Sequence, residues 1–152
     1  MSVVARLEEH RLDPRQELGE LLAQAGGDGA VVSFVGIARP HSKSGAPVDE
    51  LVLEHHPILT RQSLEEIAVG AAERFDVSHV RVAHRCGIIP AGEPIVFAGA
   101  SSAHRRAAFE AADYLMDRLK TEAVFWKREI GEAGAAWIEP TETDFADRDR
   151  WG

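Results

Sequence analysis

The sequence predicts an α+β fold, because short β-rich segments alternate with amphipathic helical segments along the chain. From Val48 onward the order is strand, helix, strand, strand, helix, strand, which is typical of the split β-α-β arrangement of α+β sandwiches. A further helix and strand precede this part, and a C-terminal hairpin follows it. With 152 residues, 45% of them hydrophobic, the chain can bury a core and is predicted to be a single domain over residues 1–152.

The N-terminal part is predicted to form a strand, a helix and a second strand. Residues Met1–Leu12 alternate weakly and predict a short edge strand. Asp13-Pro14 predicts a helix start, with Asp as N-cap and Pro at the first helical position, and Gly26-Gly27 predicts its end. Residues Gly29–Ala38 are nearly all apolar and predict a strand buried on both faces, where Gly36 indicates a bulge or close backbone approach. The helix that starts at Asp13-Pro14 has an apolar stripe formed by Leu18, Leu21, Leu22 and Ala25.

The segment from Arg39 to Pro47 is a polar loop rich in Pro, Gly and Ser. Such a loop either carries function or only connects two strands, and its residues leave both possibilities open. Arg39 differs from the rest of the loop because it directly follows an apolar strand. We therefore treat it as a candidate site residue.

The middle of the chain alternates between predicted strands and one predicted helix. Leu51 and Leu53 share one face of the first strand, and the helix has an apolar face that ends at Phe75. The predicted elements are a strand at Val48–His55, a helix at Thr60–Phe75, a strand at Val77–Arg85, a turn over residues 86–94 and a strand at Ile95–Ala100.

A long amphipathic helix then precedes the C-terminal hairpin. Ser101 or Ser102 is predicted to be its N-cap. Strands at Val124–Glu129 and Ala136–Glu139 form the hairpin, and the polar tail over residues 140–152 is predicted to be loose. The predicted buried stripe of the helix is Phe109, Ala112, Leu115, Met116 and Leu119.

Composition excludes several classes of function. The net charge of −8 argues against nucleic acid or an anionic membrane as a general partner. No apolar run approaches the roughly 20 residues that span a bilayer, and the N-terminus lacks the order of a signal peptide, so a cytoplasmic location is expected. The single cysteine, Cys86, excludes an internal disulfide, and a buried inert thiol is favoured over a reactive one. The histidines lack metal-ligand spacing, so no metal site is predicted.

A set of cationic side chains is the strongest candidate for a functional site in this acidic chain. His104 and Arg105 stand in the first turn of the long helix, where free amides and the positive end of the helix dipole favour an anion. A lysine held among other cations is shifted towards its neutral form and can act as base or nucleophile. Any one of these residues alone could simply be solvated. The full set is Arg39, His104, Arg105, Lys120 and Lys127.

Several strings in this sequence resemble those of one enzyme family. They are SFVGIAR, LEHHP, HRCGIIPAGEPIV, SSAHRRAAFEAADYLMDRLKTEAVFWKRE and WIE, which occur in order between Gly29 and Glu139. They are similar to the large, catalytic subunit of molybdopterin synthase, the MoaE family. The run from SAHR to FWK is the most specific part of the resemblance.

The resemblance implies a fold and a reaction. The fold is an α/β-hammerhead type with an added antiparallel β subdomain. Members of the family convert cyclic pyranopterin monophosphate, also called precursor Z, to molybdopterin by two sulfur transfers, without a cofactor. The sulfur comes from the C-terminal thiocarboxylate of a small ubiquitin-like subunit that ends in Gly-Gly. The large subunits form a homodimer within a heterotetramer.

The resemblance also implies roles for the cationic residues. Lys120 and Lys127 match the active-site lysines, and Lys120 is the one more directly expected to act as base or to form a transient acyl link. Arg39, His104 and Arg105 are expected to bind the cyclic phosphate and the pterin, the last two across the dimer. The alternative hypothesis is a non-catalytic module that binds a phosphorylated small molecule in the same cationic pocket.

Overall fold

The computed structural model describes all 152 residues, which form four helices and eight strands in two sheets. The α+β class predicted from the sequence is therefore confirmed. None of the four helices combines the length and apolarity needed to cross a membrane. In chain order the elements are β1 (Ser2–Glu8), α1 (Pro14–Gln24), β2 (Ala30–Ile37), β3 (Glu50–His55), α2 (Leu59–Arg74), β4 (His79–Arg85), β5 (Gly87–Pro90), β6 (Pro94–Ser102), α3 (Arg105–Glu122), β7 (Phe125–Gly131), β8 (Gly134–Ile138) and α4 (Glu142–Asp149).

The first sheet has the strand order β1-β4-β6-β2 and lies between helices. Strand β1 runs parallel to β4, and the other pairs are antiparallel. On one face, Val80 and Val82 of β4 share a core with Leu115 of α3 and with α2. On the other face, Ala83 shares a smaller core with Leu21 of α1. The alternation of side chains along β4 thus directs successive residues into two separate cores.

The second sheet, with the order β5-β3-β7-β8, is entirely antiparallel. It corresponds to the antiparallel β subdomain that the resemblance implies. Leu51 and Leu53 of β3 form a third core with Ala38 and Ile89. The predicted single split β-α-β unit is wrong, because β3 and β7 pair here while β4 and β6 pair in the first sheet. A period-2 pattern identifies a strand but not its partner.

Two strands differ from their predicted environment. Strand β2 was predicted to be buried on both faces, but it lies at a sheet edge and pairs only with β6, so Phe34 and Ile37 are exposed. The register of this pair shifts after Gly36, where a Cβ atom would lie 2.8 Å from Cγ1 of Val96, which confirms the expected bulge and close approach. The predicted turn over residues 86–94 also contains a short strand, β5, which pairs with β3.

The helix α3 starts later than the sequence predicts. Ser101 and Ser102 belong to β6, where Ser101 is paired with both β2 and β4, so neither serine is available as an N-cap. The N-cap is His104, which makes no side-chain capping bond. Phe109, predicted to be buried, is 59% exposed, because the buried face of α3 instead runs through Ala108, Ala111 and Leu115.

The C-terminal tail, predicted to be loose, is ordered against α3. Thr141 and Asp144 form a capping box at the start of α4: each side chain accepts a hydrogen bond from the backbone amide of the other residue. Beyond α4, the indole Nε1 of Trp151 donates to Asp117 at 2.6 Å, and its ring packs edge-on against Phe75 and Tyr114. These contacts hold the tail over the surface of α3.

A buried ion-pair network fixes α1 against the first sheet. The carboxylate of Glu17 accepts hydrogen bonds from Arg81, whose Nε lies 2.6 Å away, and from Arg6. The side chains of Glu17 and Arg81 are only 4% and 6% exposed. Burial favours the neutral form of Glu17, but the hydrogen bonds from Arg6 and Arg81 outweigh it and lower the pKa of this carboxyl below its usual value.

We expect Glu17→Gln to lower the free energy of unfolding at pH 7 by about 3 kcal/mol, because it leaves the buried guanidinium of Arg81 without its full countercharge. The half-exposed Glu20, which also pairs with Arg81, supplies the control, and Glu20→Gln should cost less than about 1 kcal/mol. Urea unfolding measures both. Because the pKa of Glu17 is lowered, its contribution is present at neutral pH and disappears as the pH falls through that pKa, so the two proteins should converge in acid. Equal stability at pH 7 would contradict this account.

Candidate active site

The two candidate lysines lie on either side of the corner between α3 and β7. Lys120 is exposed in the last turn of α3, and Lys127 is partly buried on β7. The corner is made at Ala123, whose extended backbone (φ −67°, ψ 132°) ends the helix and starts the strand. The structure thus brings both ammonium groups to one corner, where they are near enough to repel each other.

Lys127 is placed on an apolar surface by the register of the second sheet. It lies opposite Leu53 of β3 and opposite Ile138 of β8. Opposed residues of antiparallel strands share a face, so Lys127 projects beside these side chains and beside Phe125, two residues earlier. Leu53 is completely buried, and Phe125 and Ile138 pack against its core.

This environment favours the neutral form of Lys127. Burial and, to a smaller extent, the positive charge of Lys120 lower its pKa, the carboxylate of Asp144 opposes them, and the resulting pKa is about 8. An amine with this pKa is partly unprotonated near neutral pH. It can therefore take a proton or attack an electrophilic carbon, which an ordinary surface lysine does much less readily.

His84 places an uncharged imidazole ring beside the lysines. It is buried on β4, and its ring stacks on Phe125 with the centroids 4.3 Å apart. Burial lowers its pKa most, the hydrogen bond to Arg85 opposes this, the charges of Lys127 and Lys120 add to the lowering, and the resulting pKa is about 3. Its Nδ1 lies 2.8 Å from the carbonyl oxygen of Arg85, so in the neutral ring Nδ1 carries the proton and donates it. The sequence alone assigns His84 no role, although its place after Val80 and Val82 in an apolar alternation indicates a buried histidine.

Asp144 of α4 supplies a negative charge to the same corner. Its pKa is lowered because hydrogen bonds from Thr141 and the charges of Lys120 and Lys127 outweigh burial, which acts in the opposite direction. Sequence reasoning missed this residue because the tail was predicted to be loose. The spacing Thr-x-x-Asp, which places Thr141 as N-cap and Asp144 in the first turn of α4, was the signal that could have found it.

Arg39 lies at the edge of the same region. The preceding residue, Ala38, is buried with Leu53, the residue opposite Lys127. Backbone hydrogen bonds fix the chain here, because Ala38 donates to Glu93 and accepts from Gly92. The exposed Arg39 side chain thus starts from a fixed backbone next to the core that carries Lys127.

His104 and Arg105 are not brought to the lysines within one chain. They are exposed at the N-terminal end of α3, whereas Lys120 is in its last turn. At 1.5 Å per helical residue, Arg105 and Lys120 are about 22 Å apart along the axis. The five residues proposed from the sequence therefore fall into two groups, with Lys120, Lys127 and Arg39 in one and His104 and Arg105 in the other.

Cys86 and Met116 are both withdrawn from solvent, Cys86 fully and Met116 partly. Cys86 is buried, and burial, followed by the charges of Glu9 and Glu8, raises the pKa of its thiol, as expected for an inert cysteine. Met116, one turn before Lys120, packs against the main hydrophobic core.

The chain is similar to one protein family over most of its length. The model of the MoaE protein family matches residues 7–122. The molybdopterin synthase catalytic subunit of Pseudomonas aeruginosa is 44% identical over 146 residues, which are 96% of this chain and 97% of that protein. The corresponding subunit of Escherichia coli is 46% identical over 130 residues, 86% of each chain. These matches extend beyond the segment 29–139 in which the motifs were found.

Solved structures give the same result. The MoaE protein of Burkholderia ambifaria superposes with a TM-score of 0.82 at 35% identity and covers all of this chain and 99% of its own. Molybdopterin synthase of Staphylococcus aureus gives 0.79 at 26% identity, covering 88% of this chain and 96% of that one. The resemblance inferred from the motifs is thus confirmed, and the chain belongs to the MoaE family, whose curated relatives are catalytic subunits of molybdopterin synthase.

Proposed function

We propose that this chain converts cyclic pyranopterin monophosphate to molybdopterin by two sulfur transfers. Each transfer takes one sulfur atom from the C-terminal thiocarboxylate of a small ubiquitin-like subunit, whose terminus is left as a carboxylate. The observation that carries the proposal is the lysine pair at the corner of α3 and β7, where Lys127 has a pKa of about 8. A cationic, partly apolar corner suits a substrate that combines a phosphate, a pterin and an acyl group.

Although the lowered pKa belongs to Lys127, we assign the chemical step to Lys120 because of its access. It is exposed at the end of α3, so an incoming carbonyl group can reach its amine. It acts as a base or forms a transient link to the acyl group of the small subunit. Lys127, set deeper on the apolar face, holds the tail of the small subunit or the oxyanions of the substrate, and the neutral ring of His84 adds no competing charge beside it.

Arg39, His104 and Arg105 are proposed to bind the cyclic phosphate and the pterin. Because about 22 Å of helix separates Arg105 from Lys120 in one chain, His104 and Arg105 are supplied by a second copy of the chain. Exposed apolar side chains on β2 and α3, namely Phe34, Ile37 and Phe109, support such a homodimer, since they would otherwise face water.

The sulfur donor is proposed to be a separate small subunit with a C-terminal Gly-Gly, bound once per large subunit to give a heterotetramer. A solved structure from Helicobacter pylori is a complex of subunits 1 and 2 of molybdopterin-converting factor. One chain of that complex has the same fold as this chain, with a TM-score of 0.71 at 22% identity. Glycines at the end of such a tail pass through narrow space because they lack side chains. We place the assembly in the cytoplasm and treat residues 1–152 as one domain.

Reconstitution tests the proposed function. The purified chain is mixed with a thiocarboxylated small subunit and cyclic pyranopterin monophosphate, and the dithiolene pterin is assayed as its fluorescent oxidation product. Product should require all three components, and the small subunit with an ordinary carboxylate should give none. If no product forms with substrate and small subunit that another synthase can use, the proposal fails. Binding of the pterin without turnover would then favour a non-catalytic module.

A further inference from the structure

The corner between the two lysines is held by side chains of a different helix. Val124 stands at this corner, four residues after Lys120 and three before Lys127. Its carbonyl oxygen accepts a hydrogen bond of 2.5 Å from Oγ1 of Thr60, and its amide donates one of 3.1 Å to Oγ of Ser63. Both backbone polar groups of Val124 thus form hydrogen bonds with side-chain hydroxyls of α2.

The two hydroxyls are themselves fixed. The Thr60 hydroxyl also accepts from the amide of His56 at 2.8 Å, and the Ser63 hydroxyl donates to the carbonyl oxygen of Thr60 at 2.7 Å. Thr60 is completely buried and Ser63 nearly so. Each hydroxyl therefore has both a donor and an acceptor role in use, which leaves one rotamer that satisfies every partner.

The start of α2 is rigid for a separate reason. Nδ1 of His56 accepts from the amides of Ile58 and Leu59 at 3.1 and 3.0 Å, so the histidine binds free amides of the first turn. The backbone amide of His56 in turn donates a hydrogen bond to Oγ1 of Thr60. The end of β3, the first turn of α2 and the α3–β7 corner thus form one continuous network of hydrogen bonds.

Such a network matters because the corner has no regular structure of its own. The residues Ala123 and Val124 lie between the last residue of α3 and the first of β7. A small rotation of the backbone there would move the helix that carries Lys120 relative to the strand that carries Lys127. A misplacement of 1 Å at a reacting group can cost as much as about a hundredfold in rate.

We propose that Thr60 and Ser63 are positioning residues of the sulfur-transfer site, which act through Val124 by fixing the angle between α3 and β7. This inference rests on the proposed function for its kinetic consequences only. Its structural consequence, the geometry around Lys127, exists in the protein without any substrate. Three side chains make up the surroundings of Lys127. Lys120 of α3 contributes a positive charge, Asp144 of α4 contributes a negative charge, and His84 of β4 contributes its neutral ring.

The variant Thr60→Val tests the proposal, because valine has the same shape but forms neither hydrogen bond. We expect kcat for sulfur transfer to fall about tenfold, with KM for the pterin changed by less than about twofold. Loosening the corner admits water to Lys127, so its pKa should rise from about 8 towards its ordinary value. Thr60→Ser retains the hydroxyl and should restore both quantities.

Ser78→Ala is the matched control. Ser78 also donates a hydroxyl hydrogen bond, of 2.8 Å, to Asp28, but it lies before β4 and away from the corner. It should lower stability to a similar extent without changing kcat or the pKa of Lys127. If Thr60→Val does not fold, Ser63→Ala serves instead, because it keeps the hydrogen bond from Thr60 to Val124. We expect it to lower kcat about threefold and to raise the pKa of Lys127 in the same direction.

The pKa of Lys127 is measured on the isolated chain by competitive acetylation over a pH series, with mass spectrometry of the modified peptide. This readout needs no sulfur transfer, so it decides the inference even if the reconstitution gives no product. The inference is overturned if Thr60→Val and Ser63→Ala leave both kcat and the Lys127 titration unchanged, or if Ser78→Ala reproduces their effects. A shifted titration that Thr60→Ser reverses supports it.

Discussion

Replacing Lys120 by alanine is expected to abolish formation of the dithiolene pterin, with a loss of about 10³-fold or more in rate. The fold and the binding of the small subunit should survive, because the Lys120 side chain is exposed and forms no ion pair within the chain. Single-turnover assays with the thiocarboxylated small subunit measure the rate. Size-exclusion chromatography of the mixture measures complex formation.

Two further variants separate the possible reasons for such a loss. Lys120→Arg keeps the positive charge but cannot act as base or nucleophile near neutral pH, so it should be nearly as inactive as the alanine variant. Lys43→Ala removes an exposed lysine from the loop after Arg39 and should retain most of the activity. If Lys120→Ala failed to bind the small subunit, or if Lys120→Arg were fully active, the residue would have a docking or electrostatic role and not a chemical one.

The elements that the sequence predicted well are those specified by local chemistry. Asp13 caps α1 as expected, with its carboxylate 3.0 Å from the amide of Arg15. The apolar face of α2 is buried where the spacing placed it. The C-terminal hairpin of β7 and β8 also forms, and its register directs Lys127 towards the apolar face. These features depend on residues a few positions apart, which a single sequence displays directly.

The features that were not predicted depend on distant parts of the chain. The exposure of Phe34 follows from the position of β2 at a sheet edge, and no pattern within β2 reports that position. Ser101 is a plausible N-cap until β6 is seen to continue through it between two neighbouring strands. His84 and Asp144 reach the lysines from β4 and α4, so their role exists only in the folded chain. The cationic residues themselves were found because an acidic chain makes clustered cations conspicuous.

Replacing Lys127 by methionine is expected to inactivate the enzyme and to stabilise the fold. Methionine fills a similar volume on the apolar surface near Leu53 and Ile138 and removes a charge that this surface disfavours. At pH 7 the folded protein holds Lys127 mostly protonated, since its pKa is about 8. The gain in free energy of unfolding at that pH should be about 1–2 kcal/mol, while sulfur transfer falls by at least about 10²-fold.

The pH dependence of this gain has a definite sign. Between pH 8 and the ordinary lysine pKa of 10.5, the unfolded chain binds a proton at Lys127 that the folded chain does not, so the stability of the native protein rises with pH across this window. Lys127→Met lacks this contribution, and its advantage should therefore be largest below pH 8 and vanish near pH 10.5. Urea unfolding at pH 7, 9 and 10 measures it, with Lys43→Met as the control that should show no such trend. Two outcomes would contradict this prediction: a constant difference in stability across this pH range, or a variant that is less stable at pH 7. Either would mean that the ammonium of Lys127 is well solvated in the folded chain and does not lie against the apolar surface near Leu53 and Ile138.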